Sequence, residues 1–131
     1  MQDVYKDKLS PERYRVLRLS ETEAPFSGEY VDFDDNGDYL CGACGTALFS
    51  SKQKFDSGCG WPSFYDLIDK KSIRLVEDRS HGMQRVEVKC ANCDSHLGHV
   101  FKDAPDQPTG LRYCINSLAL DFIQKEKNEK S

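Results

Sequence analysis

The stretch that decides the fold is Cys90-Ala-Asn-Cys-Asp-Ser-His-Leu-Gly-His-Val-Phe101, where two cysteines precede two of the three histidines in the chain. Cys41-Gly-Ala-Cys44 has the same thiol spacing. Two such pairs make a closed tetrahedral set of thiolates, which is typical of structural zinc and leaves no position open for substrate. We therefore predict one Zn²⁺ per chain, with the ligands Cys41, Cys44, Cys90 and Cys93. The alternatives are two separate redox dithiols, or iron in place of zinc.

The two thiol pairs are far apart in the sequence, so a shared metal ion would join two distant hairpins. A cross-link that closes a long loop restricts the unfolded chain more than one that closes a short loop. Because the ligands come together only in the folded chain, the free energy of metal binding becomes free energy of folding. The ion is therefore predicted to stabilise the whole domain.

Length and composition set the broad class of the protein. The chain has 131 residues and a net charge of −4, which predicts one domain over residues 1–131, with flexible ends at 1–8 and 124–131. Basic residues cluster only at the extreme C-terminus, which argues against a nucleic-acid partner. There is no apolar run long enough for a membrane span and no signal-peptide pattern. The spacing of the cysteines favours a reducing, cytoplasmic location over a secreted protein with three disulfides.

The pattern of apolar residues predicts a mostly β, antiparallel domain with a short N-terminal helix. Ser10-Pro11-Glu12 is a helix start, and a helix over 11–18 would bury Tyr14 and Leu17. Asn36-Gly37 is a hairpin-turn signal. Strands are predicted at 39–40, 46–49, 73–76, 83–89, 97–101, 111–116 and 118–122. The segment 57–64 is rich in Gly and Pro and is predicted to be an ordered loop.

Two cysteines, Cys59 and Cys114, remain once zinc has taken four. On a strand, Arg112 and Asn116 would share a face with Cys114. A nearby guanidinium favours the thiolate, which is the form that attacks. The alternative for Cys114 is a buried, inert cysteine. Cys59 lies between two glycines, which would let its sulfur move, or it simply fills a tight turn.

The aromatic residues near these cysteines are a second set of candidates. Trp61 would present its ring to an apolar group from the loop, unless it belongs to the core. His96 and His99 would face opposite ways on a regular strand, although Gly98 permits a bulge. They are otherwise satisfied loop histidines or metal ligands, but four thiolates already fill the metal site. His81, in a polar turn, is expected to be exposed to solvent.

Taken together and in this order, the motifs resemble the methionine-R-sulfoxide reductases of the MsrB type. The resemblance runs from about residue 9 to residue 122. It rests on the two thiol pairs and on the segments Pro25-Phe-Ser-Gly28, Ser57-Gly-Cys-Gly-Trp-Pro-Ser-Phe64, Ser95-His-Leu-Gly-His-Val-Phe101 and Arg112-Tyr-Cys-Ile-Asn-Ser117. It implies two antiparallel sheets with short flanking helices, and a structural zinc that cross-links the fold away from the active site. It also implies reduction of the R epimer of methionine sulfoxide, free or within oxidised proteins, and a monomer is expected.

The resemblance also assigns roles by position. Cys114 becomes the nucleophile, Cys59 the resolving thiol and His99 the preferred acid. The substrate pocket would be lined, with His99, by Trp61, His96, Arg112 and Asn116. Cys114 would pass through a sulfenic acid to a disulfide with Cys59. Some family members lack a cysteine at the position of Cys59, so its presence implies recycling by thioredoxin or a similar dithiol.

Two other classes of function are open to the same residues. One is a non-enzymatic zinc-binding chaperone or interaction module on the same scaffold, in which Cys59, Cys114 and the histidines are incidental. The other is a disulfide oxidoreductase acting on proteins. That activity would need a Cys-x-x-Cys at a helix start, whereas both pairs here are predicted to bind metal.

Overall fold

A computed structural model describes residue 5, residues 7–79, residue 82 and residues 84–124. Within these residues, helix α1 precedes nine strands, with short 3-10 helices at Ser51–Gln53, Lys70–Ser72 and Ser117–Ala119. The helix and strands are α1 Pro11–Leu19, β1 Gly37–Cys41, β2 Ala47–Ser50, β3 Lys54–Phe55, β4 Ser63–Phe64, β5 Ile73–Asp78, β6 Arg85–Cys90, β7 His96–Phe101, β8 Arg112–Ile115 and β9 Leu120–Gln124. In the described part of the chain, no helix is both long and apolar enough to cross a membrane.

The strands form two antiparallel sheets, which confirms the predicted mostly β fold with a short N-terminal helix. One sheet has the order β2-β1-β9, and the other has the order β3-β4-β8-β7-β6-β5. The β1–β2 hairpin carries one thiol pair at its turn, and the β6–β7 hairpin carries the other. Since these hairpins belong to different sheets, a shared metal ion would join one sheet to the other.

Helix α1 begins where the sequence predicts, but it buries a different pair of residues. The Ser10 side chain accepts the N–H of Arg13 at 3.3 Å, and a proline occupies the first turn. Val16 and Leu17 are buried, whereas Tyr14 is only half-buried, so its predicted burial is wrong. The packed face follows Arg13, Val16 and Leu17 at i, i+3 and i+4. Tyr14 lies to one side of that stripe.

Two turn and boundary predictions are also wrong. Gly37 does not lie in a hairpin turn. It opens β1 and pairs with Gln124 of β9, and residues 31–36 form no strand ahead of it. The last strand begins at Leu120 rather than at 118, because Ser117–Ala119 forms a 3-10 helix.

The segment 57–64 is a loop only in part, since its last two residues form β4. The short strands β3 and β4 escape prediction because two residues carry no periodic pattern. Predictions for His81, for residue 83 and for most of the two chain ends (residues 1–4, 6 and 125–131) lie outside the described residues.

Aromatic side chains fill the space between the sheets. The rings of Phe49 and Phe64 stack with centroids 4.3 Å apart and planes 14° apart, and Tyr39 meets Phe64 edge-on at 5.1 Å. All three side chains are fully buried. Trp61 is only half-buried and lies outside this cluster. The core fixes β4 against β8, and this pairing sets Ser63 opposite Cys114.

Candidate active site and metal centre

The four paired cysteines converge on one point. All four sulfurs lie within 4.8 Å of one another, with Cys41 Sγ 3.6 Å from Cys93 Sγ and Cys44 Sγ 3.5 Å from Cys90 Sγ. Sulfurs at the corners of a tetrahedron, each about 2.3 Å from a central ion, are about 3.8 Å apart. The spacing and the all-thiolate donor set therefore fit a metal ion such as zinc.

The two thiol turns are built alike, with one informative exception. In the first, the N–H of Cys41 donates to Thr46 O and the N–H of Gly45 donates back to Cys41 O, both at 2.8 Å. The second repeats both bonds through Cys90 and Asp94. Gly45 has φ +84°, and Asp94 takes the same left-handed conformation at φ +65°. Aspartate tolerates that conformation better than most residues, so the second turn forms without glycine.

A separate cavity of about 180 Å³ collects most of the predicted site residues. Its walls include Cys59, Trp61, His99, Arg112, Cys114 and Asn116. Arg112, Cys114 and Asn116 line it together, which confirms that they share one face of the chain at β8. Thr22, Arg85, Gly98 and Phe101 complete the lining and were not predicted.

The two thiols outside the metal centre touch inside this cavity. Cys59 Sγ lies 3.4 Å from Cys114 Sγ. All six cysteines lie within the described residues, and none forms a disulfide. The Cys59 loop is fastened to β4 because the hydroxyls of Ser57 and Ser63 bond to each other at 2.6 Å. The loop that carries Cys59 is therefore held close to Cys114 on β8 through β4.

The contact between the two sulfurs shifts the pKa values of Cys59 and Cys114 in opposite directions. The hydrogen bond from Cys114 lowers the pKa of Cys59 to about 4, with help from the Ser57 and Ser63 hydroxyls and against the effect of burial. The same hydrogen bond, together with burial, raises the pKa of Cys114 well above its usual range. Arg112 lowers the pKa of Cys114, but by less. The prediction that Arg112 favours the Cys114 thiolate therefore agrees in direction, although the contact with Cys59 opposes it.

This charge distribution predicts an unusual pH dependence of alkylation. Because the pKa of Cys59 is depressed from 9.0 to about 4, its thiolate should persist from neutral pH down to about pH 4. Iodoacetamide at pH 6 should therefore label Cys59 far faster than an ordinary cysteine, as read by peptide mass spectrometry. In Cys114→Ala the hydrogen bond is gone, and labelling at pH 6 should fall. Labelling of Cys59 only above about pH 8 would contradict the assignment.

The two histidines lie on the same side of the sheet, although a regular strand would separate them. Along β6 the pairing passes from Val88 opposite Gly98 to Lys89 opposite His96, which leaves Leu97 as the extra residue of a bulge. The rings of His96 and His99 are consequently 5.5 Å apart. Gly98 permits the close approach of β8, since a Cβ there would lie 2.1 Å from the carbonyl oxygen of Cys114.

Each histidine is held by a carboxylate from another strand of the same sheet. Glu87 on β6 lies 2.7 Å from Nδ1 of His96, and Asp78 on β5 lies 2.7 Å from Nε2 of His99. Burial lowers the pKa of His96 against the opposing effect of Glu87. Nε2 of His96 is buried and meets no hydrogen-bond partner among the described residues. His96 therefore stands behind the cavity, whereas His99 lines it.

Arg112 is fixed in place as a cation. Its Nε and NH2 groups donate to the two carboxylate oxygens of Asp103 at 3.0 and 2.9 Å. Its guanidinium also lies over the Phe101 ring, 4.5 Å from the centroid. The hydrogen bonds to Asp103 raise the pKa of Arg112 above its ordinary value. A fixed positive charge thus lies beside Cys114 on the same strand.

Trp61 is anchored through backbone groups on the opposite side of the cavity. Its Nε1–H donates to the carbonyl of Glu23 at 3.0 Å. The N–H of Glu23 in turn donates to Oδ1 of Asn116, and the amide nitrogen of Asn116 donates to Leu97 O, both at 3.0 Å. Both polar groups of the Asn116 side chain therefore bond to backbone atoms, and they fix the segment that holds the indole.

Sequence reasoning missed the partners Glu23, Asp78, Arg85, Glu87 and Asp103. The sequence does carry a weak signal for two of them, since Arg85 and Glu87 alternate with apolar residues along one strand. The missing information was which strand lies beside the histidines. Only the order β8-β7-β6-β5 brings Asp78, Arg85 and Glu87 close to the histidines.

Known proteins resemble this chain over most of its length. A family profile described as the SelR domain matches residues 9–124. A protein of Thiobacillus denitrificans named peptide methionine sulfoxide reductase MsrB is 56% identical over 122 residues, which is 93% of this chain and 92% of that protein. A protein of the same name from Pseudomonas fluorescens is 57% identical over 93% of this chain and 92% of its own length. Another from Methanosarcina mazei is 55% identical over 96% of this chain and 89% of its own length.

Proposed function

Because this chain belongs to the MsrB family of methionine-R-sulfoxide reductases, we propose that its cavity reduces the R epimer of methionine sulfoxide to methionine, with Cys114 as the nucleophile. The observation that carries the proposal is the 3.4 Å contact between the sulfurs of Cys59 and Cys114. This contact lies in a cavity that Trp61, His99 and Arg112 also line. An interaction module would not need two thiols that converge at a fixed cation.

In the first step, Cys114 reduces the substrate. The proton shared by the two thiols moves from Cys114 to Cys59, and the Cys114 thiolate attacks the sulfoxide sulfur. The sulfoxide oxygen takes one proton from His99 and is transferred to Cys114, which becomes a sulfenic acid. The Cys114 sulfur is oxidised by two electrons, the substrate sulfur gains them, and methionine leaves. Arg112 supports the anionic sulfur as it attacks.

In the second step, Cys59 resolves the sulfenic acid. Its thiol displaces hydroxide from Cys114, one water molecule leaves, and the two sulfurs form a disulfide. The sulfurs have to close from 3.4 Å to about 2.05 Å. A short movement of the Cys59 loop is enough for this.

The remaining site residues position the substrate. Trp61 presents its ring to the cavity from the anchored loop, which suits contact with the apolar methyl group and helps to distinguish the epimers. Asn116 holds the Glu23 segment to which the indole is bonded. His96 supports the wall behind His99 as a neutral ring. Of the residues predicted to line the pocket, His96 alone is absent from the cavity lining.

The four remaining cysteines are proposed to hold a structural Zn²⁺, one per chain. Their sulfur spacing and donor type suit a closed tetrahedral site. Bound there, zinc supplies a cross-link between the two sheets and takes no part in the reaction. Cys41, Cys44, Cys90 and Cys93 each provide one thiolate.

The proposal also names partners. The substrates are methionine-R-sulfoxide residues of oxidised proteins, and the free amino acid as well. Thioredoxin or a similar dithiol reduces the Cys59–Cys114 disulfide after each cycle. The protein acts as a single monomeric domain in the cytoplasm, without a nucleic-acid or membrane partner.

Mass spectrometry tests the proposed function directly. With excess R-sulfoxide and no reductant, the protein should lose two hydrogens, and its peptides should show a link between Cys59 and Cys114. The S epimer is the matched control and should leave the mass unchanged. An unchanged mass with the R epimer would favour the non-enzymatic zinc module instead.

A further inference from the structure

We propose that Asp78 is a positioning residue that makes His99 the proton donor, because it holds Nε2–H and leaves Nδ1 toward the sulfoxide oxygen. This inference rests on the proposed function, since it concerns the proton that the leaving oxygen must receive. Asp78 lies at the end of β5, two strands away from His99 on β7. Neither residue would be paired with the other from the sequence.

The first argument is the direction of the hydrogen bond. Asp78 Oδ2 lies 2.7 Å from Nε2 of His99 and 3.3 Å from a guanidinium nitrogen of Arg85. The adjacent cation favours the ionised carboxylate, which can only accept hydrogen bonds. Nε2 of His99 must therefore carry the hydrogen. Both side chains are mostly buried, at 12% exposure for His99 and 19% for Asp78, so water competes little for this bond.

The second argument is the position of the other ring nitrogen. His99 lines the cavity and pairs directly with Cys114 across β7 and β8. With Nε2 tied to Asp78, Nδ1 is the nitrogen left for a group bound above Cys114. The protonated ring gives its Nδ1 hydrogen to the sulfoxide oxygen and keeps its Nε2 hydrogen on Asp78. The carboxylate holds the ring in place during transfer and fixes its tautomer afterwards.

The neighbouring histidine, His96, is bound through its other ring nitrogen. Glu87 binds Nδ1 of His96, and burial lowers the pKa of that ring. Only 3% of the His96 side chain is exposed, and it does not line the cavity. The two carboxylates therefore assign different roles to the two rings, with His99 as donor and His96 as a neutral support.

The test separates proton delivery from thiol reactivity. Asp78→Asn should lower the single-turnover rate of methionine release about ten- to a hundredfold. Alkylation of Cys114 by iodoacetamide needs no proton on an oxygen, so its rate should be unchanged by Asp78→Asn in a Cys59→Ser background. The matched control is Glu77→Gln on the same strand, where the carboxylate is exposed and bonds to Arg79. This control should reduce the sulfoxide at the wild-type rate.

Nuclear magnetic resonance of His99 provides a readout that does not depend on activity. A proton–nitrogen correlation spectrum of the neutral ring should show the hydrogen on Nε2 in the wild type, and a shift toward Nδ1–H in Asp78→Asn. An unchanged release rate in Asp78→Asn, or an equal loss of release and alkylation, would overturn the inference. If the wild type releases no methionine, the proposed function fails, and a His99 ring without hydrogen on Nε2 would separately overturn the role of Asp78.

Discussion

Replacing Cys114 with Ser should abolish methionine release, even in a single turnover. A serine hydroxyl is not ionised at neutral pH and is a far poorer nucleophile toward sulfur than a thiolate. No other thiol can take its place, because four cysteines converge on the metal site and Cys59 is held to Trp61 O and the Ser63 hydroxyl. The quantity to measure is methionine released per enzyme without reductant.

Cys59→Ser should fail at a different step. Its first turnover should release one methionine per enzyme, because Cys114 is intact. The hydrogen bond that Cys114 donates to Cys59 is the largest cause that raises the pKa of Cys114, so Cys114 should be the more readily ionised in this variant. Thioredoxin should then be unable to continue the cycle, whereas dithiothreitol should partly restore it by attacking the sulfenic acid directly.

Each of these two variants is the control for the other. Both remove one thiol from the same cavity, so a general effect of losing a thiol would appear in both. If Cys59→Ser releases no methionine, or turns over normally with thioredoxin, then Cys59 is not the resolving thiol. Release of methionine by Cys114→Ser would contradict the assignment of Cys114 as the nucleophile.

Replacing Cys93 with Ser should release the metal ion and destabilise the whole domain. Structural zinc binds thiolate sites with an apparent free energy of about 10–16 kcal/mol, comparable to the total stability of a typical domain, about 5–15 kcal/mol. A loss of only 5 kcal/mol corresponds to a fall in Tm of about 20 °C or more for a chain of this size. Circular dichroism melting and elemental analysis of the purified protein measure the two effects together.

The control for this substitution is Cys59→Ser, which removes a half-buried thiol outside the metal centre. It should keep the full metal content and nearly the wild-type Tm. A metal-free Cys93→Ser protein with an unchanged Tm would contradict the structural role. Iron instead of zinc in the wild type would correct the identity of the ion and leave the stabilising role intact.

The sequence by itself determined the four-cysteine cluster and the class of fold. Two Cys-x-x-Cys pairs admit few arrangements, because adjacent corners of a tetrahedron suit this spacing. The helix start was equally local, since Ser10 and Pro11 act within one turn. Alternation of apolar and charged residues identified β6. Each of these signals acts over a few residues, so the sequence displays it directly.

Boundaries were less well determined for the same reason. The two-residue strands β3 and β4 exist only because neighbouring strands pair with them. Asn36-Gly37 has the composition of a hairpin turn, but β9 pairs with Gly37 and no strand precedes it. In both cases long-range pairing overrode a local preference.

Only the tertiary structure decided how the site works. The bulge at Leu97 brings His96 and His99 to one side, and its position depends on register with β6 rather than on local composition. Asp78 reaches His99 because β5 and β7 flank the same strand. The contact between Cys59 and Cys114 raises the pKa of Cys114 and so opposes the effect of Arg112, which lowers it. Charge in a partly buried cavity follows distances between strands, and those distances appear only once the sheets are packed.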